Sequence, residues 1–282
     1  MSDESESLQD AITAEEMAST VVPAQSASDK RNAFTTLMSS RPKKTTKDLN
    51  GVDTASRQTV FAGRDGLGAY INQPTAFPPS RVIYHNDNFL AIHDLYPKSS
   101  VHTLLIPRGP QSLVHPFEAF EDAEFLAGVR EEAGKLRSMV AKELRRKYSK
   151  YSKQEQARER ALNGEDEVPD GGDLPAGRDW EAEVVAGVHA HPSMSHLHVH
   201  VMSIDHYSDH LKHRKHYNSF STPFFVGLED LPLAEDDARR HPGREGYLNW
   251  DFKCWRCGKN FGRKFVRVKE HLAEEFEEWK TE

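Results

Sequence analysis

Beyond residue 80 apolar positions begin to alternate with polar ones, which predicts short strands. Arg81 to His85 and Phe89 to His93 read as two strands joined by the turn-forming run Asn86–Asp87–Asn88. A third strand, His102 to Pro107, has Leu104, Leu105 and Ile106 at its centre. From Pro116 to about Lys150 the period lengthens. Phe125, Val129, Leu136, Val140 and Leu144 recur at threes and fours or their sums, the pattern of a helix with one buried stripe. Its last part, Arg145–Arg146–Lys147, is basic and solvated. Residues 150–180 are charged and carry Pro169 and Gly171–Gly172, the composition of a mobile loop or insertion. Strand patterning returns at 183–189 and 196–203, residues 204–250 are irregular, and a last helix follows two cysteines.

The chain therefore reads as α+β in three parts: a tail at 1–55, a main domain at 56–215 and a small C-terminal module at 216–282. The tail is rich in Ser, Ala, Thr, Asp and Glu, shows no sustained apolar period, and is expected to be disordered. Within it Phe34, Leu37 and Met38 share one helical face, as in a docking helix, and Arg41–Pro42–Lys43–Lys44 opens a basic run of the nuclear-import kind. The 282 residues, 37% hydrophobic and 29% charged, suit a soluble protein with solvated stretches. A net charge of -7 argues against nucleic-acid contact over the whole surface, though a local basic stripe still binds phosphates. The acidic start lacks a secretory signal, and no apolar run spans a bilayer, so no membrane association or export is expected.

The chemistry concentrates in His196–Leu197–His198–Val199–His200–Val201. Alternate strand residues share a face, so the three imidazoles align while Leu197, Val199 and Val201 point into a core. An idle surface ladder and a metal site are the competing readings. Catalysis is favoured, because neutral imidazole attacks phosphorus at neutral pH and the phosphoramidate it forms is cleaved by water. Flanking imidazoles hold tautomers and supply protons.

That run, continued to Met202, resembles the signature of the histidine-triad superfamily. His189–Ala190–His191–Pro192–Ser193–Met194–Ser195 before it, Tyr96–Pro97–Lys98 before His102, and Lys215–His216–Tyr217–Asn218–Ser219–Phe220 after it resemble the aprataxin family, over roughly residues 60 to 282. The forkhead-associated domain of animal aprataxins has no counterpart, so the resemblance is to the shorter fungal type. It implies an antiparallel sheet with helices and removal of AMP from 5′-adenylated DNA ends left by abortive ligation, in the nucleus. His198 would be the nucleophile, with His196, His200 and His189 also catalytic. Asp94 would accept from the ribose hydroxyls, and Ile92 and Leu95 would line the adenine pocket. Lys98, His102, Ser193, Met194, Ser203 and His206 would contact nucleotide or phosphate. Read without the family, Asp94 is a turn-capping carboxylate. The resemblance also implies an aromatic wedge on the terminal base pair, with Phe61 the candidate and Tyr70 the alternative, near Arg64. Lys212 and Lys215 would meet DNA as well.

The only two cysteines stand as Cys254–Trp255–Arg256–Cys257, half of a metal site rather than a disulfide framework, which points to a reducing compartment. His271 and Glu275 follow, four apart on one helical face, and complete a tetrahedral zinc set, with Glu274 the alternative fourth ligand. Between the ligands lie Arg256, Lys259, Arg263, Lys264, Arg267 and Lys269, a local basic patch suited to DNA phosphates. Two other functions remain at this level. One is a general nucleotide phosphoramidase or dinucleotide hydrolase, and the other is a non-catalytic zinc-finger adaptor.

Overall fold

The computed structural model describes residues 64–167 and 172–282. The N-terminal tail, its Phe34–Leu37–Met38 face, the basic run and Phe61 lie outside the described residues. Helix α1 (Gly68–Asn72) precedes a hairpin of β1 (Val82–His85) and β2 (Phe89–His93). The hairpin turns where Asn86 Oδ1 accepts from the N–H groups of Asn88 (2.9 Å) and Phe89 (2.7 Å), a local bond that Asn supplies readily. Strand β3 (His102–Pro107) adds antiparallel to β2, with Leu90 opposite Ile106. After α2 (Pro116–Ala119), Asp122 caps the long α3 (Ala123–Tyr148) by accepting from Glu124 N and Phe125 N. There follow α4 (Lys153–Leu162), β4 (Val184–His189), β5 (Val199–Ser203), α5 (Arg214–Ser221) and β6 (Phe225–Gly227). The short α6 (Pro242–Glu245) and the final α7 (Phe265–Thr281) complete the chain.

The strands form one antiparallel sheet in the order β1-β2-β3-β5-β4-β6. Alternation along the strands divides the side chains between two faces. Phe89, Ala91, Leu105, Val199 and Val201 meet the stripe of α3, where Leu126, Val129, Leu136, Val140 and Leu144 are buried. Each such Phe, Leu or Val side chain contributes about 1.5–3 kcal/mol on burial. Leu90, Ile92, Leu104 and Ile106 form a smaller cluster on the other face, covered by Leu67 and Tyr70. The imidazoles lie on this second face.

Two sequence expectations are corrected. The stretch 150–180 contains the ten-residue α4, capped by Ser152 and anchored where Trp180 Nε1 donates to the buried Glu155 at 2.8 Å. Its high charge hid it, because a helix tied down by polar contacts shows no apolar stripe. The main domain also runs past residue 215. Strand β6 pairs with β4, Val226 facing Val188, and Leu228, Leu231, Leu233, Tyr247 and Leu248 belong to the main core.

The last helix serves two cores. Val268 and Leu272 pack with Leu211, Tyr217, Phe252 and Cys254, whereas Phe276 and Trp279 enter the main core. The Arg178 guanidinium lies against the rings of both Trp180 (4.6 Å) and Trp279 (4.7 Å), which meet edge to face, donates to Trp279 O and pairs with Glu183. The C-terminal module is thereby joined to the sheet domain through a buried, fully paired cation.

Candidate active site and metal centre

Strand β5 begins only at Val199, three residues later than its alternation predicts. Before it, Leu197 N–H donates to Ser112 O (2.7 Å) and Ser195 N–H to Arg64 O (2.9 Å), so residues 195–198 are held by loops and not by a neighbouring strand. His198 and His200 are buried beside each other, with ring centres 5.0 Å apart. His196 is half-buried and packs over α1, where a Cβ on Gly68 would stand 3.0 Å from its Cε1. His189, at the end of β4, stacks 4.5 Å from His200, and Phe220 of α5 abuts His102, His189 and His200.

The backbone determines which nitrogens carry protons. Lys98 N–H donates to His102 Nδ1 at 3.0 Å, so a neutral His102 is protonated on Nε2. Burial pushes His102 down to about 4, against the pull of Asp94, so the ring is neutral at pH 7. Its Nε2–H then donates to His200 Nδ1, 2.9 Å away. His200 in turn is protonated on Nε2, a buried atom with no protein partner among the described residues. His198 is set the opposite way. Its Nδ1–H donates to the His196 carbonyl at 2.7 Å, which leaves the Nε2 lone pair free. Burial lowers the pKa of His198, while the His196 carbonyl and Asp94 act against that shift. The result is one nucleophilic nitrogen beside one hydrogen-bond donor, both on uncharged rings.

Asp94 both caps and faces the site. Its Oδ1 accepts from Tyr96 N at 2.7 Å, and its Oδ2 is 3.5 Å from His102 Nε2. Asp94, His102 and His200 lie close enough to suggest a metal site. The tautomers argue against one, because His102 Nδ1 already accepts an N–H and a metal on Nε2 would require an anionic ring. Ile92 is in the apolar cluster beside this site with Met194 packed on it, and Leu95 and Ser193 are half-buried nearby in sequence. Lys98 is buried and its Nζ donates to Tyr96 O. His206 is buried with φ at 45°, the one described non-glycine residue in the left-handed region, and burial pushes it to about 4.

Two assigned residues are not where the sequence suggested. Ser203 lies on the α3 side of β5, with its Oγ between Val101 N (3.2 Å) and Asp205, so it turns away from the imidazoles. One position of strand parity separates it from Met202. Tyr70 is buried, 4.3 Å from the Phe77 ring, and is not available as a wedge. Three contributors were missed. Phe220 forms the aromatic floor, Gly68 admits His196, and the buried Asp205 accepts from Ser100 N and Oγ and from Ser203 Oγ, tying the segment before β3 to the end of β5. Asp205 was the most legible of these, being an acid just past the end of a buried strand.

The second site lies on the knuckle before α7. Gly258 follows Cys257 at φ 72°, a conformation that favours glycine, and Gly258 N–H donates to Cys254 O. Donor atoms of Cys254, Cys257, His271 and Glu275 all lie within 4.8 Å of one another. Cys257 Sγ is 3.1 Å from His271 Nε2, which is 3.0 Å from Glu275 Oε1. Two thiols, an imidazole and a carboxylate are donors that zinc takes in tetrahedral sites, so the residues fit that metal. Glu274 is exposed on the Nδ1 side of His271 at 3.6 Å, outside the cluster. Lys259, Arg263, Lys264 and Arg267 are exposed, and Lys212 and Lys215 half-exposed. Arg256 departs from the expected basic patch, because it is paired with Glu275, Glu278 and Glu282.

Sheet and paired histidines define a histidine-triad domain, and the four-donor knuckle adds a zinc-finger motif. Residues 76–207 match the HIT domain family, and residues 221–278 match the C2HE / C2H2 / C2HC zinc-binding finger. The chain is 34% identical to an aprataxin-like protein of Schizosaccharomyces pombe, covering 88% of this chain and 94% of that protein. It is 33% identical to an aprataxin-like protein of Saccharomyces cerevisiae, covering 76% and 95%. A crystal structure of the aprataxin ortholog Hnt3 in complex with DNA aligns with a TM-score of 0.60 at 32% identity, covering 77% of this chain and 96% of that one. Hnt3 in complex with DNA and guanosine aligns with a TM-score of 0.58 at 32% identity, with the same coverage. The chain belongs to the aprataxin family.

Proposed function

We propose that this protein hydrolyses 5′-adenylated DNA ends and releases AMP, with His198 carrying the adenylyl group between two steps. The observation that carries this reading is the opposed pair of tautomers, a free lone pair on His198 Nε2 beside a His200 Nε2–H. In the first step His198 Nε2 attacks the adenylate phosphorus. The P–N bond forms, the P–O bond to the DNA 5′-phosphate breaks, and that phosphate leaves with the electron pair. The positive charge created on the His198 ring is shared with the His196 carbonyl through Nδ1–H and is stabilised by Asp94. His200 Nε2–H donates to a phosphoryl oxygen as charge builds there. In the second step water attacks the same phosphorus, the P–N bond breaks and AMP departs. The water proton leaves through the phosphate oxygens to solvent, and neutral His198 is restored. Lys98, His189, His196 and His206 surround the phosphates, Ile92, Leu95, Ser193 and Met194 the nucleoside, and Asp94 the ribose.

Cys254, Cys257, His271 and Glu275 would hold zinc, which when bound pins the knuckle to α7 and takes no part in the reaction. Arg64, Lys212, Lys215, Lys259, Arg263, Lys264 and Arg267 would meet DNA phosphates, in line with the DNA complex of the related Hnt3. The basic run at Arg41 to Lys47 supports a nuclear location.

The test is AMP release from a 5′-adenylated nicked duplex, run beside a small AMP amidate. Acid-quenched reactions with label in the AMP should show label on the protein, and His198→Ala should abolish both label and turnover. Normal AMP release by His198→Ala would remove the mechanism. Equal catalytic efficiency on the amidate and the DNA would favour a general phosphoramidase.

A further inference from the structure

Two thiolates neutralise a divalent zinc ion, and a neutral imidazole adds no charge. A carboxylate as the fourth ligand therefore leaves the centre with one net negative charge, where a second histidine would leave none. That charge is buried, since Glu275 is 6% exposed. Buried charge requires a partner.

The partner comes from between the two cysteines. Arg256 Nη1 donates to Glu275 Oε2 at 2.7 Å, while Glu275 Oε1 stands 3.0 Å from His271 Nε2, within the donor cluster. The two carboxylate oxygens are thus divided, one for the guanidinium and one for the metal. Among the described residues Arg256 is the Lys or Arg side chain in contact with Glu275. Its other N–H groups also reach Glu278 and Glu282 at the end of the chain. A lysine could not divide itself in this way, because its donors diverge from one point.

We propose that Arg256 is the positioning residue of the metal centre, holding Glu275 as a one-oxygen ligand and cancelling the charge that a carboxylate adds. The finger carries its own counter-ion within the C-x-x-C knuckle. The inference rests on the zinc reading above.

A double-mutant cycle in the full-length protein separates this role from a simple clamp on the helix end. Zinc affinity is measured by competition with a chromophoric chelator, and ligand geometry by the visible spectrum of the cobalt-substituted protein. Arg256→Gln should weaken zinc about 10- to 100-fold, the usual cost of removing an outer-shell partner, and should shift the cobalt bands. In a Glu275→His background the centre is neutral, and Arg256→Gln should cost less than about threefold. Equal losses in both backgrounds, or no loss in the native one, would overturn the proposal. As a second measurement, the Glu278→Gln/Glu282→Gln protein should retain native zinc affinity and native cobalt bands. A loss matching that of Arg256→Gln would also overturn it, leaving only the clamp. Failure of the native protein to take up zinc would instead refute the metal reading itself, and this inference with it.

Discussion

His102 and His200 are 98 positions apart in sequence, yet their rings share a 2.9 Å hydrogen bond whose direction is set by the backbone N–H of Lys98. His102 therefore acts on the reaction through His200. His102→Ala should lower kcat about 10²- to 10³-fold with little change in KM, the range for losing an aligned donor. His102→Gln, whose amide can still donate, should recover part of it. Steady-state kinetics on the adenylated duplex measure both, and a change confined to KM would contradict the relay.

Burial holds His102 and His206 neutral, at about 4 each. The unfolded chain titrates these rings near the ordinary value of about 6.5. Between those two values the unfolded state binds protons that the folded state refuses, so unfolding becomes easier as pH falls. The stabilisation is complete above about pH 6.5 and exhausted below about pH 4, at roughly 1.4 kcal/mol per pH unit for each group. Urea unfolding at pH 7.5, 6.0 and 4.5, with zinc content monitored, should show a steep decline. A flat profile would mean the rings are already charged in the fold.

Gly68 gives His196 its place. A methyl group there meets His196 Cε1 at 3.0 Å, so ring or helix must move by a few tenths of an ångström. Because the His196 carbonyl orients His198, Gly68→Ala should reduce kcat about 10-fold or more while stability falls by less than about 1 kcal/mol. Unchanged kcat would show that the backbone at His196 is insulated from its ring.

Trp279 is 1% exposed and its ring packs against the Arg178 guanidinium. Trp279→Ala should cost about 3–5 kcal/mol, as for other buried large-to-small changes. Thermal and urea unfolding should each still show a single transition if the C-terminal module and the sheet domain unfold together. A separate early transition would indicate two independent units.

DNA affinity should fall steeply with salt, and each of Lys259→Ala and Arg263→Ala should reduce the log–log slope by about one. Fluorescence anisotropy between 50 and 200 mM salt measures this (roughly the range over which such contacts lose most of their affinity). An unchanged slope would place those cations away from the phosphates.

Much of this protein was legible along the chain because the information was periodic or local. Alternation located the strands to within a residue or two at β2, β3 and β4, and the spacing of Val129, Leu136, Val140 and Leu144 marked α3. The knuckle and the pair His271 and Glu275, four apart on one helix, were visible for the same reason. Helix α4 was not, because its anchors are Trp180 and Arg145, which meet Glu155 only after the chain has folded.

The sequence by itself determined that three imidazoles stand at alternate positions and that four metal donors share one knuckle and one helix. Tertiary structure decided what those groups are able to do. Only the fold brings the Lys98 N–H to His102 and His102 to His200, and only a hydrogen bond can choose which imidazole nitrogen keeps its proton. It likewise turned Ser203 and Tyr70 away from the roles their neighbours suggested, since strand parity and burial depend on what lies across the sheet.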